Sequence, residues 1–104
     1  MPGKLQDLIG ERETLFIDVR SKKEREHRAL AGTEHMPLER IHELSYDKNT
    51  LIVTYCNSGI RAWKAAENLR NIGFKQVYCY SGTDLQLEKE RQNLPATDAK
   101  KVQA

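Results

Sequence analysis

The chain has 104 residues, of which 38% are hydrophobic and 31% are charged. Its 17 basic and 15 acidic residues give a net charge of +2 with the signs interleaved. This pattern argues against nucleic-acid binding, because a nucleic-acid face gathers its basic residues together. No apolar stretch approaches the roughly 18 residues that a membrane span needs. We expect one domain over residues 1–95 and a polar, flexible tail over residues 96–104.

The first third of the chain predicts a helix, a strand and a second helix. Residues 4–11 place apolar side chains at helical spacing, with Gly10 as a stop. The apolar, branched run at residues 15–19 predicts a buried strand. Ser21 is placed to cap a charged helix over residues 22–28.

A turn and an extended piece follow at residues 31–33 and 35–37, since the residue before a proline avoids helical geometry. Leu38, Ile41 and Leu44 then indicate a brief amphipathic helix.

The second half of the chain predicts two more strands and two more helices. Residues 51–55 form a strongly apolar strand, and residues 76–80 a further strand. Between them, residues 61–71 predict the best helix of the chain, and residues 85–94 predict the last one. The face of the longer helix expected to meet a sheet consists of Ala62, Ala65, Ala66, Leu69 and Ile72.

Strands and helices thus alternate, which predicts an α/β fold with a central, mostly parallel sheet covered by helices on both faces. Ligands of such sheets bind beyond the carboxyl ends of the strands. Residues 18–20, Cys56 and residues 80–82 fall at those ends. This edge of the sheet is therefore the expected site.

Cys56 lies between a predicted strand and a predicted helix, at the start of the segment 56–61. A turn in this place can aim backbone N–H groups at the sulfur, and the positive end of the helix lies alongside. Such surroundings lower the pKa of a thiol and favour the nucleophilic thiolate. Gly59 supplies a residue that tolerates the positive φ of a tight cradle. The alternative for Cys56 is a structural cysteine at a strand end.

Other residues of the segment are suited to binding an anion. Ser58 can donate a hydroxyl hydrogen bond, and Arg61 can bind an anion through its planar fork. The alternative for Arg61 is a salt bridge that holds the loop closed. Asn57 and Ile60 complete the predicted active-site loop.

Two cysteines are too few for a secreted disulfide framework. The first residues lack the apolar region of a signal peptide. We expect a cytoplasmic protein with free thiols, or a periplasmic one if a leader has been removed. Cys79 is expected in the core. The three histidines match no compact metal pattern, so no metal site is expected.

Several motifs resemble those of rhodanese-type sulfurtransferase domains. Residues 16–20 with Glu24 are similar to the opening signature of that family, and residues 32–38 to its next turn. Residues 56–61 are similar to its catalytic loop, and residues 65–77 to the helix and strand that follow. The chain departs from the family pattern at residues 28–30, Ala62, Thr83 and Leu87.

The resemblance implies a rhodanese-like three-layer sandwich and a sulfurtransferase. Cys56 would take a sulfane sulfur from thiosulfate or another small anionic donor and become a persulfide. A thiol, cyanide or a partner protein would then accept the sulfur, with ping-pong kinetics. No cofactor besides the transient persulfide is implied. Asp18 and Arg20 would brace the loop, and the alternative for them is a plain ion pair with Glu24.

Two alternatives remain open. One is a non-catalytic or sulfur-carrier module that works with a partner protein. The other is a cysteine phosphatase or arsenate reductase. Cysteine phosphatases place the arginine six positions after the cysteine, whereas Arg61 comes five positions after Cys56. The shorter loop favours a pocket for a single sulfur atom.

Overall fold

The computed structural model describes residues 5–10 and 12–92. Within these residues, helices and strands alternate along the chain, as the sequence predicts. The α-helices are α1 (Leu5–Ile9), α2 (Lys22–His27), α3 (Ile60–Asn71) and α4 (Asp84–Arg91). The strands are β1 (Thr14–Asp18), β2 (Glu34–His35), β3 (Leu51–Tyr55) and β4 (Gln76–Cys79), and a 3₁₀ helix covers Leu38–Glu43.

The four described strands form one parallel sheet in the order β2-β1-β3-β4. In the central pair, Asp18 at the end of β1 lies opposite Tyr55 at the end of β3. Parallel strands end at the same edge of the sheet, so the residue after Tyr55 comes beside the chain leaving β1. That residue is Cys56.

The sheet separates two cores, because successive side chains of a strand point to opposite faces. Leu15 and Ile17 belong to one core, which also contains the buried face of α3 and Ile41 from the 3₁₀ helix. Phe16 belongs to the other core, together with α1 and with Leu87 of α4. Helices therefore cover both faces, and the predicted three-layer α/β sandwich is confirmed.

The predicted helix at residues 38–44 forms, but as a 3₁₀ helix. Leu38, Ile41 and Leu44 are three residues apart, which matches the three residues per turn of a 3₁₀ helix. Ile41 and Leu44 are buried, and Leu38 packs against the same core while partly buried. Backbone bonds such as Leu44 N–H to the Ile41 carbonyl hold the tight turn.

One predicted core residue of α3 is placed differently. Ala62, Ala65, Ala66 and Leu69 are buried as expected, but Ile72 remains 39% exposed. The helix ends at Asn71, and Ile72 caps it in a non-helical conformation, so its side chain leaves the apolar face.

Predicted element ends differ from the structure by one residue or more. β1 begins and ends one residue earlier than predicted, and α4 begins at Asp84, where Thr83 caps it. Several predictions, for residues 4, 11, 94 and 95 and for the tail 96–104, lie outside the described residues. The division into a domain and a tail thus stays a prediction. In the part of the chain that is described, no helix has the length and apolarity to cross a membrane.

Candidate active site

Cys56 directly follows β3 at the carboxyl edge of the sheet, and it is fully buried. Its Sγ accepts a hydrogen bond from the backbone N–H of Gly59 over 3.0 Å. Gly59 is the N-cap residue of α3, so the sulfur lies at the positive end of that helix. The structure therefore places the sulfur on the inner side of the predicted loop, next to a backbone donor that stabilises negative charge.

Both the backbone conformation at position 59 and the atoms packed around it require a glycine there. Its φ is +93°, a region that residues with a Cβ rarely adopt. A Cβ at this position would lie 3.0 Å from the carbonyl oxygen of Ser81 and 3.1 Å from its Cα. The loop between β4 and α4 thus packs directly against the loop that carries Cys56.

Arg61 forms a salt bridge with Glu24 of α2. Its Nη1 and Nη2 lie 2.6 and 3.0 Å from the two carboxylate oxygens, and Asn57 donates to the same carboxylate over 2.6 Å. The hydrogen bonds from Arg61 lower the pKa of Glu24 to about 2. Of the two alternatives for Arg61, the salt bridge that holds the loop is the one observed, because the fork faces Glu24.

Glu24 is placed for this contact by the start of α2. The Ser21 side chain accepts from the Glu24 backbone N–H, and the Glu24 carboxylate accepts from the Ser21 backbone N–H. This reciprocal capping box fixes the first turn of the helix. It turns the carboxylate toward the neighbouring loop.

Asp18 and Arg20 form a buried, bidentate pair at the end of β1. The Arg20 Nε and Nη2 lie 2.9 and 2.8 Å from the Asp18 carboxylate, and the Arg20 backbone N–H donates to it as well. Burial opposes ionisation of Asp18, but these hydrogen bonds outweigh it and lower its pKa. The suggestion that Asp18 and Arg20 pair with Glu24 is wrong, since Glu24 is occupied by Arg61.

Arg20 also extends the network to α4. Its Nη1 lies 3.4 Å from the Asp84 carboxylate, and Arg28 contacts the same carboxylate over 2.7 Å. Arg28 stands at one of the positions where the chain departs from the family pattern. The structure thus joins the end of β1, the end of α2 and the start of α4 around the site.

The remaining predicted loop residues face solvent. Asn57, Ser58 and Ile60 are exposed, Ile60 by 75%. In the described part of the chain the Ser58 hydroxyl makes no hydrogen bond. The outer surface of the loop is therefore polar at Ser58 and apolar at Ile60.

An open pocket of about 750 Å³ lies between α2 and the loop. The basic side chains of Arg20, Lys23 and His27 and the acidic side chains of Glu24 and Asp84 are among those that line it. The pocket therefore carries charges of both signs.

Cys79 is free and partly buried at the end of β4, where it packs against the core that contains α3. Over residues 5–10 and 12–92, no group of three or more His, Cys, Asp or Glu side chains is arranged to hold a metal ion.

The sequence predicts residues 80–82 at this edge of the sheet and suggests Glu24 as an ion-pair partner of Asp18 and Arg20. It does not predict the pairing of Glu24 with Arg61, the contact of Ser81 with Gly59, or the role of Asp84. A local signal existed for Glu24, because Ser21 and Glu24 have the spacing of a capping box. No local signal marks the contacts of Ser81 and Asp84, since both arise from packing between loops that are distant in sequence.

The comparisons with known proteins identify the family of the chain. A family profile described as "Rhodanese-like domain" matches residues 1–83. The thiosulfate sulfurtransferase GlpE of Coxiella burnetii (strain RSA 493 / Nine Mile phase I) is 30% identical over 97 residues, covering 91% of this chain and 88% of that protein. The tRNA uridine(34) hydroxylase of Yersinia pestis (strain Pestoides F) is 30% identical over 102 residues, but only 29% of that longer protein is covered.

Solved structures give the same fold. A rhodanese with anions from E. coli superposes with a TM-score of 0.61 at 27% identity, covering 67% of this chain and 87% of that one. The human single-domain sulfurtransferase TSTD1 superposes with a TM-score of 0.70 at 18% identity, covering 83% of this chain and 90% of that one.

Proposed function

Since the chain belongs to the rhodanese-like domain family, we propose that it transfers sulfane sulfur through a persulfide on Cys56. The observation that carries this proposal is the hydrogen bond from the Gly59 N–H to the Cys56 Sγ. This N–H group stabilises negative charge on a buried thiol that directly follows β3 and precedes the start of α3.

In the first half-reaction, the Cys56 thiolate attacks the outer sulfur of thiosulfate. The new S–S bond forms as the S–S bond of thiosulfate breaks, and its electron pair leaves with sulfite. The products are sulfite and the Cys56 persulfide anion, so charge and atoms balance. A nucleophile that is already ionised needs no general base.

In the second half-reaction, an acceptor attacks the outer sulfur of the persulfide. With cyanide the product is thiocyanate, and with a thiolate it is a new persulfide. The Cys56 thiolate is restored in both cases. The Gly59 N–H donates to Sγ, the atom that carries the charge of the thiolate form. In the persulfide form the negative charge lies on the outer sulfur.

Asn57, Ser58, Ile60 and the Gly59 backbone form the wall of the proposed site, and Arg61 ties this wall to Glu24. Ser58 is free to donate its hydroxyl to an incoming donor. Asp18 and Arg20 act as supports below the loop. A cytoplasmic location and the absence of a bound cofactor remain predictions.

The thiosulfate:cyanide assay tests the proposal, with thiocyanate formation as the readout. Cys56→Ser should abolish turnover while circular dichroism shows an unchanged fold. Cys79→Ser is the matched control and should retain the activity of the unmodified protein. Activity in Cys56→Ser would contradict the proposal.

The same assay separates the alternatives. A carrier module would accept sulfur but turn over slowly without its partner protein. A cysteine phosphatase or arsenate reductase would hydrolyse an aryl phosphate or reduce arsenate. Robust partner-free thiocyanate formation, with neither of these activities, supports the sulfurtransferase.

A further inference from the structure

Arg61 is the only charged residue of the loop 56–61, and its charge is neutralised by Glu24. Both terminal nitrogens of its fork contact the two oxygens of that carboxylate. Asn57 and the Ser21 backbone N–H donate to it as well. Hydrogen bonds from the start of α2 and from the loop thus hold the Glu24 carboxylate in place. Its negative charge offsets the positive charge of Arg61, the one cationic side chain of residues 56–61.

We propose that Glu24 sets the net charge that Arg61 presents to Cys56, and that it thereby limits the preference of the site for doubly charged sulfur donors. Glu24 is then a specificity-determining residue that acts through Arg61. The inference rests on the proposed sulfur transfer from an anionic donor.

Glu24 has this effect because its negative charge and the positive charge of Arg61 are close together and nearly cancel. A guanidinium and a carboxylate in contact present almost no net charge to a third group, whereas a lone guanidinium attracts anions. Hydrogen bonding to Glu24 raises the pKa of Arg61. Arg61 lies in the first turn of α3, and the N-cap residue of that helix, Gly59, donates its N–H to the Cys56 sulfur over 3.0 Å. The charge pair and the sulfur therefore belong to the same short loop.

The other charged groups around the pocket do not change when Glu24 is replaced. Lys23 and His27 face the same pocket, and neither has an ion pair among the residues that the structure covers. The charges that are already paired with one another are Asp18, Arg20, Arg25, Arg28 and Asp84. These groups contribute the same charge in the unmodified protein and in the Glu24 variant. A difference between the two proteins can therefore be assigned to the charge of Glu24.

Two sulfur donors that differ in charge make it possible to measure two effects of Glu24 separately. One is its effect on the attraction of the sulfur donor to the site, and the other is its effect on the reactivity of the Cys56 thiol. Thiosulfate carries two negative charges and leaves as sulfite, whereas methanethiosulfonate carries one and leaves as methanesulfinate. Each gives its outer sulfur to the Cys56 thiolate by the same exchange of S–S bonds. A change in the thiolate fraction of Cys56 affects both donors equally, so it cancels in the ratio of their kcat/KM values.

The experiment measures this ratio for the unmodified protein and for Glu24→Gln at low ionic strength, where charge effects are least screened. We expect the ratio of thiosulfate to methanethiosulfonate to rise about two-fold in Glu24→Gln, because the dianion gains more from the unpaired Arg61. Glu26→Gln is the matched control. Glu26 lies on the same helix, is exposed, and has no ion pair among the described residues. The ratio of the two kcat/KM values should therefore be the same in Glu26→Gln as in the unmodified protein.

Arg61→Gln is the reciprocal variant, because it leaves Glu24 as an unpaired negative charge beside the pocket. The donor ratio should then fall. Opposite shifts in the two variants identify a charge effect, whereas a loosened loop would move both variants in the same direction. An unchanged ratio in Glu24→Gln, or a shift of the same sign in both variants, would overturn the inference.

A second readout does not depend on sulfur transfer. In the Cys79→Ser background, the rate at which iodoacetamide alkylates Cys56 at a fixed pH reports the charge presented to the sulfur. This rate should rise in Glu24→Gln and fall in Arg61→Gln. If no variant transfers sulfur, the proposed function fails, and this series still decides whether Glu24 controls the charge at Cys56.

Discussion

The backbone N–H of Gly59 lies 3.0 Å from the Sγ of Cys56, although Cys56 has no exposed surface. The sulfur is thus held inside its loop by a donor that cannot be removed by changing a side chain. The same glycine touches the Ser81 backbone. The position of the donor therefore depends on two loops at once, which makes the glycine the most sensitive point of the candidate site.

Gly59→Ala should damage the site more than it damages the fold. The new Cβ would meet the Ser81 carbonyl oxygen at 3.0 Å, and φ at this position is +93°. We expect a loss of about 1–3 kcal/mol in the free energy of unfolding. We also expect a roughly tenfold or larger decrease in kcat, because the N–H is displaced from the sulfur.

Gly10→Ala is the control for this substitution. Gly10 also has a positive φ, +58°, but a Cβ there would meet no atom within 4 Å. It should cost about 1 kcal/mol of stability and leave activity unchanged. Equal loss of activity in the two variants would contradict the proposed role of the Gly59 N–H. Urea unfolding and the thiosulfate:cyanide assay provide the two measurements.

Asp18→Asn should destabilise the protein strongly. Asp18 is fully buried and holds the Arg20 guanidinium at 2.8 and 2.9 Å, so its neutralisation leaves a buried charge without its main partner. A loss of about 3 kcal/mol in the free energy of unfolding is expected. Glu43→Gln, which removes an exposed pair with Arg40, should give no measurable change. Similar stability of the two variants in urea would show that the Asp18 pair is not a structural support.

The salt bridge between Glu24 and Arg61 should make the free energy of unfolding depend on pH in a defined way. Hydrogen bonds from Arg61 lower the pKa of Glu24 from its ordinary 4.5 to about 2. A lowered carboxylate pKa adds stability that is complete above pH 4.5 and is lost as the pH falls through about 2. The difference in unfolding free energy between the unmodified protein and Glu24→Gln should be constant above this window and shrink within it. Urea unfolding at pH values across this window measures the difference. A difference that stays constant throughout the window would show that the salt bridge between Glu24 and Arg61 is not the source of the pH dependence.

The sequence predicts the framework of this fold well, because the framework depends on local patterns. The apolar run of β3 and the alanine face of α3 each specify their element and its buried side. Once strands and helices alternate, the carboxyl edge of the sheet follows, and with it the position of Cys56. Even the 3₁₀ helix is encoded in the three-residue spacing of Leu38, Ile41 and Leu44.

The partners of the charged residues could not be predicted in the same way. Glu24, Arg20 and Arg61 are all close to the site, and the sequence permits several pairings among them. Which pairing forms depends on how α2 packs against the loop, which is a tertiary property. The exposure of Ile72 has a similar origin, since it depends on where α3 ends rather than on the helical pattern.

The most direct test of sulfur transfer through Cys56 is the mass of the intact protein after incubation with thiosulfate, followed by peptide mapping. Cys56 should gain one sulfur atom and lose it on addition of cyanide, and Cys56→Ser should gain none. A protein that gains no sulfur, or that gains it on Cys79 instead, would rule out transfer through Cys56.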